Sequence, residues 1–174
     1  EIYTLSLHDA LPICVSEGNF MKTKYLMQGA IIAAVYAVLT IMLAPISYGP
    51  MQVRVSEAMT VLPALTSAGI PGLLVGCVFA NLLGPYGLID IICGSLATGV
   101  AAYFSYKLKD KPALVPMPPV VINGIVIGCV LHFAYGVPNL FACMGWVALG
   151  ELVACYAIGY PLMKILKKYS GVFE

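Results

Sequence analysis

The chain has 174 residues, 61% of them hydrophobic and 10% charged, with a mean hydropathy of +0.95 and a formal net charge of +1. That balance lies far on the apolar side of soluble domains and leaves no basic face for nucleic acid. Its apolar runs are continuous rather than alternating, which favours a helical bundle over a barrel and points to an all-α integral membrane protein.

Residues 1–20, EIYTLSLHDALPICVSEGNF, differ from the rest of the chain in hydropathy and charge sign. They hold Glu1, Asp9 and Glu17 but no lysine or arginine, so they lack the basic region of a secretory signal. The run EIYTLSLHDALPI resembles translated sequencing-adapter sequence. These residues, with His8 and Cys14, are expected to be a non-native leader or sequencing artefact ahead of a membrane domain over 21–174. Without them nine basic residues face five acidic ones, a charge of +4.

A helix crossing a bilayer needs about 20 mostly apolar residues, fewer when it is sheltered inside a bundle. Tyr25 to Ala44 meets that length and Pro45 ends it, before the turn-rich Tyr48-Gly49-Pro50. Val55 to Ala68 is short and carries polar residues; Pro71 to Leu83 comes after a very short link. Gly84-Pro85-Tyr86-Gly87 then precedes an apolar run from Leu88 to Tyr106. After the polar KLKDKPALVPMPP, Val120 to Tyr135 and Leu140 to Ile165 complete a predicted compact bundle of six transmembrane helices. With six crossings Lys22, Lys24, Lys107, Lys109, Lys111, Lys164, Lys167 and Lys168 fall on one side, which the positive-inside bias makes the cytoplasm, with both termini. Arg54 is the exception on the opposite face.

In that topology the polar groups gather in the outer half. Arg54 and Glu57 open the second span, Asn81 lies late in the third, Asp90 early in the fourth, and His132 closes the fifth. Glu151 sits roughly 16 Å down the sixth at the helical rise. The inner half holds little beyond Asn123 and hydroxyls. Ionisable groups at such depth cost about 2.5–3.5 kcal/mol and face partners or a polar cavity, so the asymmetry suggests a cavity open to the outside. Structural roles stand beside these. Arg54 and Glu57, three residues apart, suit a salt bridge, Asp90 a helix cap, and His132 a hydrogen-bonded interfacial residue. Tyr48, Tyr86, Phe133, Tyr135 and Trp146 suit either an interfacial aromatic belt or a stacking site for a flat heterocycle.

Ala30, Ala33, Ala34 and Ala37 form overlapping Ala-x-x-x-Ala pairs on the first span, a spacing that permits close helix approach. The chain contains no G-x-x-x-x-G-K-[ST] and no H-E-x-x-H, so neither P-loop ATP hydrolysis nor a histidine-based metal centre is expected. No cofactor, metal or catalytic residue is assigned. Cys77, Cys93, Cys129, Cys143 and Cys155 lack C-x-x-C spacing and read as small core residues.

Four long blocks carry a family resemblance: PISYGPMQVRVSEAMTVLP (Pro45 to Pro63), IPGLLVGCVFANLLGPYGLIDIICGSLAT (Ile70 to Thr98), PPVVINGIVIG (Pro118 to Gly128) and LGELVACYAIGYPL (Leu149 to Leu162). From Met21 onward the chain resembles the QueT family of queuosine-precursor transporters, substrate-binding S components of energy-coupling factor importers. The resemblance implies a small six-helix protein of the plasma membrane that captures a 7-deazaguanine from outside. The ligand would be the aminomethyl or cyano precursor of queuosine, or queuine. It also implies docking, through Ala30, Ala33, Ala34 and Ala37, to a transmembrane coupling subunit bound to two ATPase subunits, which would supply the energy this chain cannot. Glu57, Asp90 and Glu151 become candidate acceptors for the base edge, Arg54 or Asn81 candidates for its carbonyl, and His132, Trp146 and Tyr48 further lining. Ser47, Tyr48, Gly49 and Pro50 become a gate loop. A self-contained proton-coupled carrier using Asp90, His132 and Glu151, or an intramembrane enzyme using the same carboxylates, are the alternatives the residues leave open.

Overall fold

The computed structural model describes residues 17–48 and 53–169, and these are helical, with no strand among them. Helix α1 spans Glu17–Met42, reaching upstream of the expected first span because no helix breaker interrupts the run from Met21. It stops two residues earlier than expected. Pro45 lacks the N–H that would continue the ladder, so the chain turns at Leu43 and restarts as the one-turn helix α2, Ala44–Ser47, with the proline in its first turn.

The second expected span takes a different form. Val55–Ala64 is a 3₁₀ helix whose residues from Ser56 to Pro63 are all buried. At about 2.0 Å per residue, ten residues of 3₁₀ helix cover about 20 Å, which α-helix would need about thirteen to reach. Side chains eclipse every third residue in this geometry, so each edge meets its own neighbour. Met59 and Leu62 pack with Ile32 and Tyr36 of α1. Ala58 and Val61 meet Gly159.

Helix α3, Gly69–Leu82, comes after a short turn. A turn with Gly87 at φ +73°, a conformation glycine adopts without steric cost, leads into α4, Gly87–Lys107. Pro112–Leu114 forms one 3₁₀ turn before α5, Met117–Phe133, which carries Pro118 and Pro119 in its first turn. Asn139 caps α6, Leu140–Leu152, by accepting a hydrogen bond from the Ala142 amide at 3.2 Å. The same rod continues through a π-helical stretch, Val153–Gly159, into α7, Tyr160–Lys168.

Small residues set the packing. A Cβ on Gly72 or Gly76 would come within 2.8 Å of the Gly29 or Ala33 carbonyl, so α1 and α3 touch backbone to backbone. Since the contacts advance together along both helices, α1 and α3 run parallel, and the 3₁₀ helix returns between them. Gly124 against Ala148 and Gly128 against Met144 make α5 and α6 antiparallel. Among the described residues, four stretches are long and apolar enough to cross a membrane: Lys22–Met42, Gly87–Lys107, Pro112–Phe133 and Leu140–Lys168. The expected second and third spans are shorter, because one is a stretched 3₁₀ helix and the other, α3, is 14 residues long. Leu26, Ile31, Val38, Leu96 and Val121 face outward as a lipid-facing skin.

Candidate functional site

Three polar groups meet inside this apolar bundle. The first forms around Arg54, which enters the 3₁₀ helix and is only 4% exposed. Its Nη2 donates to Asp90 Oδ2 at 3.0 Å, and Asp90, in the first turn of α4, is 2% exposed. Arg54 therefore pairs with Asp90 across the bundle, and Glu57 finds other partners. Asn81 of α3 donates from Nδ2 to the Asp90 carbonyl at 3.0 Å and to Cys77 Sγ at 3.4 Å.

Glu57 is the second centre and is fully buried. Its Oε1 accepts hydrogen bonds from the Tyr36 hydroxyl of α1 and from Thr98 Oγ1 of α4, the latter at 3.0 Å. One turn on, Thr60 Oγ1 donates to the Glu57 carbonyl at 2.6 Å, a local bond that suits the tight 3₁₀ ladder. Glu151 is the third centre. Asn123 Nδ2 of α5 donates to Glu151 Oε1 at 3.0 Å, and Cys155 Sγ lies 3.7 Å from Oε2. Cys155 belongs to the π stretch and also reaches the Glu57 carbonyl at 3.4 Å, joining the second and third centres. Wide turns of this kind recur at functional sites because they re-aim side chains.

Buried polar atoms are normally paired, and here several are not. Among the described residues Arg54 Nε, Glu57 Oε2, Asn81 Oδ1, Ser95 Oγ and Asn123 Oδ1 are buried without a hydrogen-bond partner. The set is rich in acceptors and contains one guanidinium donor, which suits a ligand with several N–H groups and a carbonyl.

At the end of the bundle near Tyr48 lies a cavity of about 410 Å³, lined by Tyr48, Tyr86, Tyr135 and Trp146 with Leu131 and Cys143. Ile127 and Val147 lie one turn deeper on α5 and α6, and Asn123 and Glu151 one turn deeper again, about 12 Å below the cavity lining at the helical rise. Ile127, Leu131, Cys143 and Val147 form one buried cluster, an apolar layer between the aromatic cavity and the carboxylates. Three tyrosines tie the connections above it. Tyr135 donates to the Tyr86 carbonyl, Tyr86 to the Tyr48 carbonyl at 2.7 Å, and Tyr48 to the Ala80 carbonyl at 2.6 Å. The Arg54 guanidinium sits 5.6 Å from the Tyr48 ring centroid, within cation–π range.

The structure thus brings together Arg54, Glu57, Asn81, Asp90 and Glu151, with Tyr48 and Trp146 at the neighbouring cavity. His132 stands apart: its Nδ1 pairs with the Val137 carbonyl at 2.8 Å and its ring packs edge-on to Phe133. Of the gate-loop residues, Ser47 is buried at the end of α2 and Tyr48 anchors the tyrosine chain, whereas Gly49 and Pro50 lie outside the described residues. Ala30 and Ala34 are exposed on α1 and Ala37 is half-buried, while Ala33 is buried against Gly76. Sequence reasoning passed over Tyr36, Thr98 and Asn123 as site residues. Thr98 had a signal, since Asp90, Gly94 and Thr98 recur at i, i+4 and i+8 on one face of α4. Tyr36 had a weaker one, the shared face of Tyr36 and Thr40.

Residues 26–168 match the family model described as QueT transporter. Over 92 residues the chain is 36% identical to the queuosine precursor transporter QueT of Lactococcus lactis subsp. cremoris (strain MG1363), a match covering 52% of this chain and 54% of that protein. The chain thus spans about half the length of the curated relative it matches. No solved structure matches it.

Proposed function

We propose, for a chain that belongs to the QueT transporter family, that it is the substrate-capturing subunit of an energy-coupling factor importer and takes up a queuosine precursor of the 7-deazaguanine class. The observation that carries this reading is the set of unpaired buried acceptors, Glu57 Oε2, Asn123 Oδ1 and Asn81 Oδ1, beside the free Arg54 Nε. A deazaguanine offers adjacent N1–H and amino donors and a carbonyl oxygen, the complement of that set. Asn81 already uses its amide nitrogen on the Asp90 carbonyl, so Arg54 Nε is the group left to meet the ligand carbonyl. The aromatic cavity above serves as the entry vestibule, the tyrosine chain as its latch, and the Ser47 to Pro50 connection as part of the gate.

Six crossings with both termini in the cytoplasm complete the proposal, with the 3₁₀ helix and α3 as the two short passes sheltered by their neighbours. The exposed Ala30 and Ala34 edge of α1 would dock the transmembrane coupling subunit, and two partner ATPases would supply energy. His132 lies apart from the carboxylates, which favours this reading over a proton relay through Asp90, His132 and Glu151.

Purified protein is expected to bind 7-deazaguanine ligands with nanomolar to micromolar affinity and to accumulate none in vesicles unless the coupling subunit and ATPases are present. Accumulation by the chain alone, collapsing with the proton gradient, would overturn the proposal in favour of a secondary carrier. Ala34→Trp should leave binding intact while abolishing uptake in the assembled importer.

A further inference from the structure

Recognition of two adjacent N–H donors is usually assigned to one carboxylate taking both. Here each buried carboxylate already holds partners within the bundle. Glu57 Oε1 already accepts from the hydroxyls of Tyr36 and Thr98, which fills its two lone-pair directions and leaves Oε2 alone. Both Glu151 oxygens are engaged, Oε1 by Asn123 Nδ2 and Oε2 by Cys155 Sγ. Asp90 is held by Arg54.

Asn123 offers a second unpaired buried acceptor besides Glu57 Oε2. It is 2% exposed, its Oδ1 has no partner among the described residues, and it bonds Glu151, which Cys155 links to the Glu57 carbonyl. Glu151 Oε1 accepts from the amide nitrogen, so the Asn123 oxygen is turned to the other side. Resting on the functional reading above, we propose that Asn123 Oδ1 and Glu57 Oε2 together receive the paired N–H donors of the ligand. Asn123 is then a specificity-determining residue, and Glu151 the positioning residue that fixes which way its amide points.

The test compares the binding of 7-deazaguanine and 7-deazaadenine to purified full-length protein in detergent, with thermal melting as the control for folding. The adenine-type base presents an amino donor beside a ring acceptor, so a site of two acceptors rejects it. Wild type should prefer 7-deazaguanine by at least about tenfold. Asn123→Leu should lower 7-deazaguanine affinity about 10- to 100-fold and shrink that preference. Glu151→Leu should do the same by freeing the amide to flip, whereas Glu151→Gln, which keeps an acceptor for Asn123 Nδ2, should restore most of the preference. An unchanged preference in folded Asn123→Leu overturns the inference alone, as does a Glu151→Gln protein as impaired as Glu151→Leu. Should Asn123→Leu not fold, the comparison of the Glu151 variants decides by itself. Failure of wild type to bind 7-deazaguanine overturns the functional reading and this inference with it.

Discussion

The Arg54–Asp90 pair shows what a charge costs inside an apolar bundle. Two ions this deeply buried regain much of their lost hydration through each other, so removing one strands the other. Asp90→Ala should destabilise the protein by about 3–5 kcal/mol, read as a fall in melting temperature in detergent. The double variant Arg54→Met with Asp90→Leu should recover most of that loss, because no orphaned charge remains. Tyr36→Phe should cost less, about 1–3 kcal/mol, since Glu57 Oε1 keeps its bond from Thr98. The sequence made Arg54, Glu57, Asp90 and Glu151 visible because each stands out chemically in an apolar run. Their pairing was not visible: Arg54 is three residues from Glu57 yet bonds Asp90, thirty-six positions away. Tyr36 and Asn123 escaped for a related reason, as tyrosine is common at membrane surfaces and a single amide carries no charge to betray its depth.

At the scale of elements, each expected stretch coincides with a helical segment, and four are long and apolar enough to cross a membrane, but hydropathy does not report the kind of helix. Pro63 and the Thr60 hydroxyl bond favour a 3₁₀ ladder over Val55–Ala64, and neither changes an apolarity profile. The π stretch is equally silent, because Leu149 to Leu162 reads as ordinary membrane helix. Glycine contacts give the sharpest test of packing. A Cβ at position 76 would stand 2.8 Å from the Ala33 carbonyl and 3.0 Å from Tyr36 Cβ. Gly76→Ala should therefore force α1 and α3 apart and cost about 1–3 kcal/mol. Gly145→Ala, whose Cβ would meet nothing within 4 Å, should leave the melting temperature nearly unchanged.

Seen as a whole molecule, the chain is asymmetric in charge: the lysines gather at one end, where Lys107, Lys109 and Lys164 lie over tyrosine rings, and the cavity of Tyr48, Tyr86, Tyr135 and Trp146 lies at the other, with the buried carboxylates between. If the proposed topology holds, a cysteine at Asp110 in the lysine-rich loop should react with a membrane-impermeant maleimide only after cells are opened. A cysteine at Pro138, in the connection on the aromatic side, should react in intact cells. The reverse pattern would invert the orientation. The aromatic end has a further property, an optical one. The chain has a single tryptophan, and Trp146 is 50% exposed on the wall of the cavity bordered by Tyr48, Tyr86 and Tyr135. No second indole competes with its emission, so the unlabelled protein carries a built-in fluorophore on that wall, whose colour and intensity report its wetting; on the proposed entry route, added ligand should shift both.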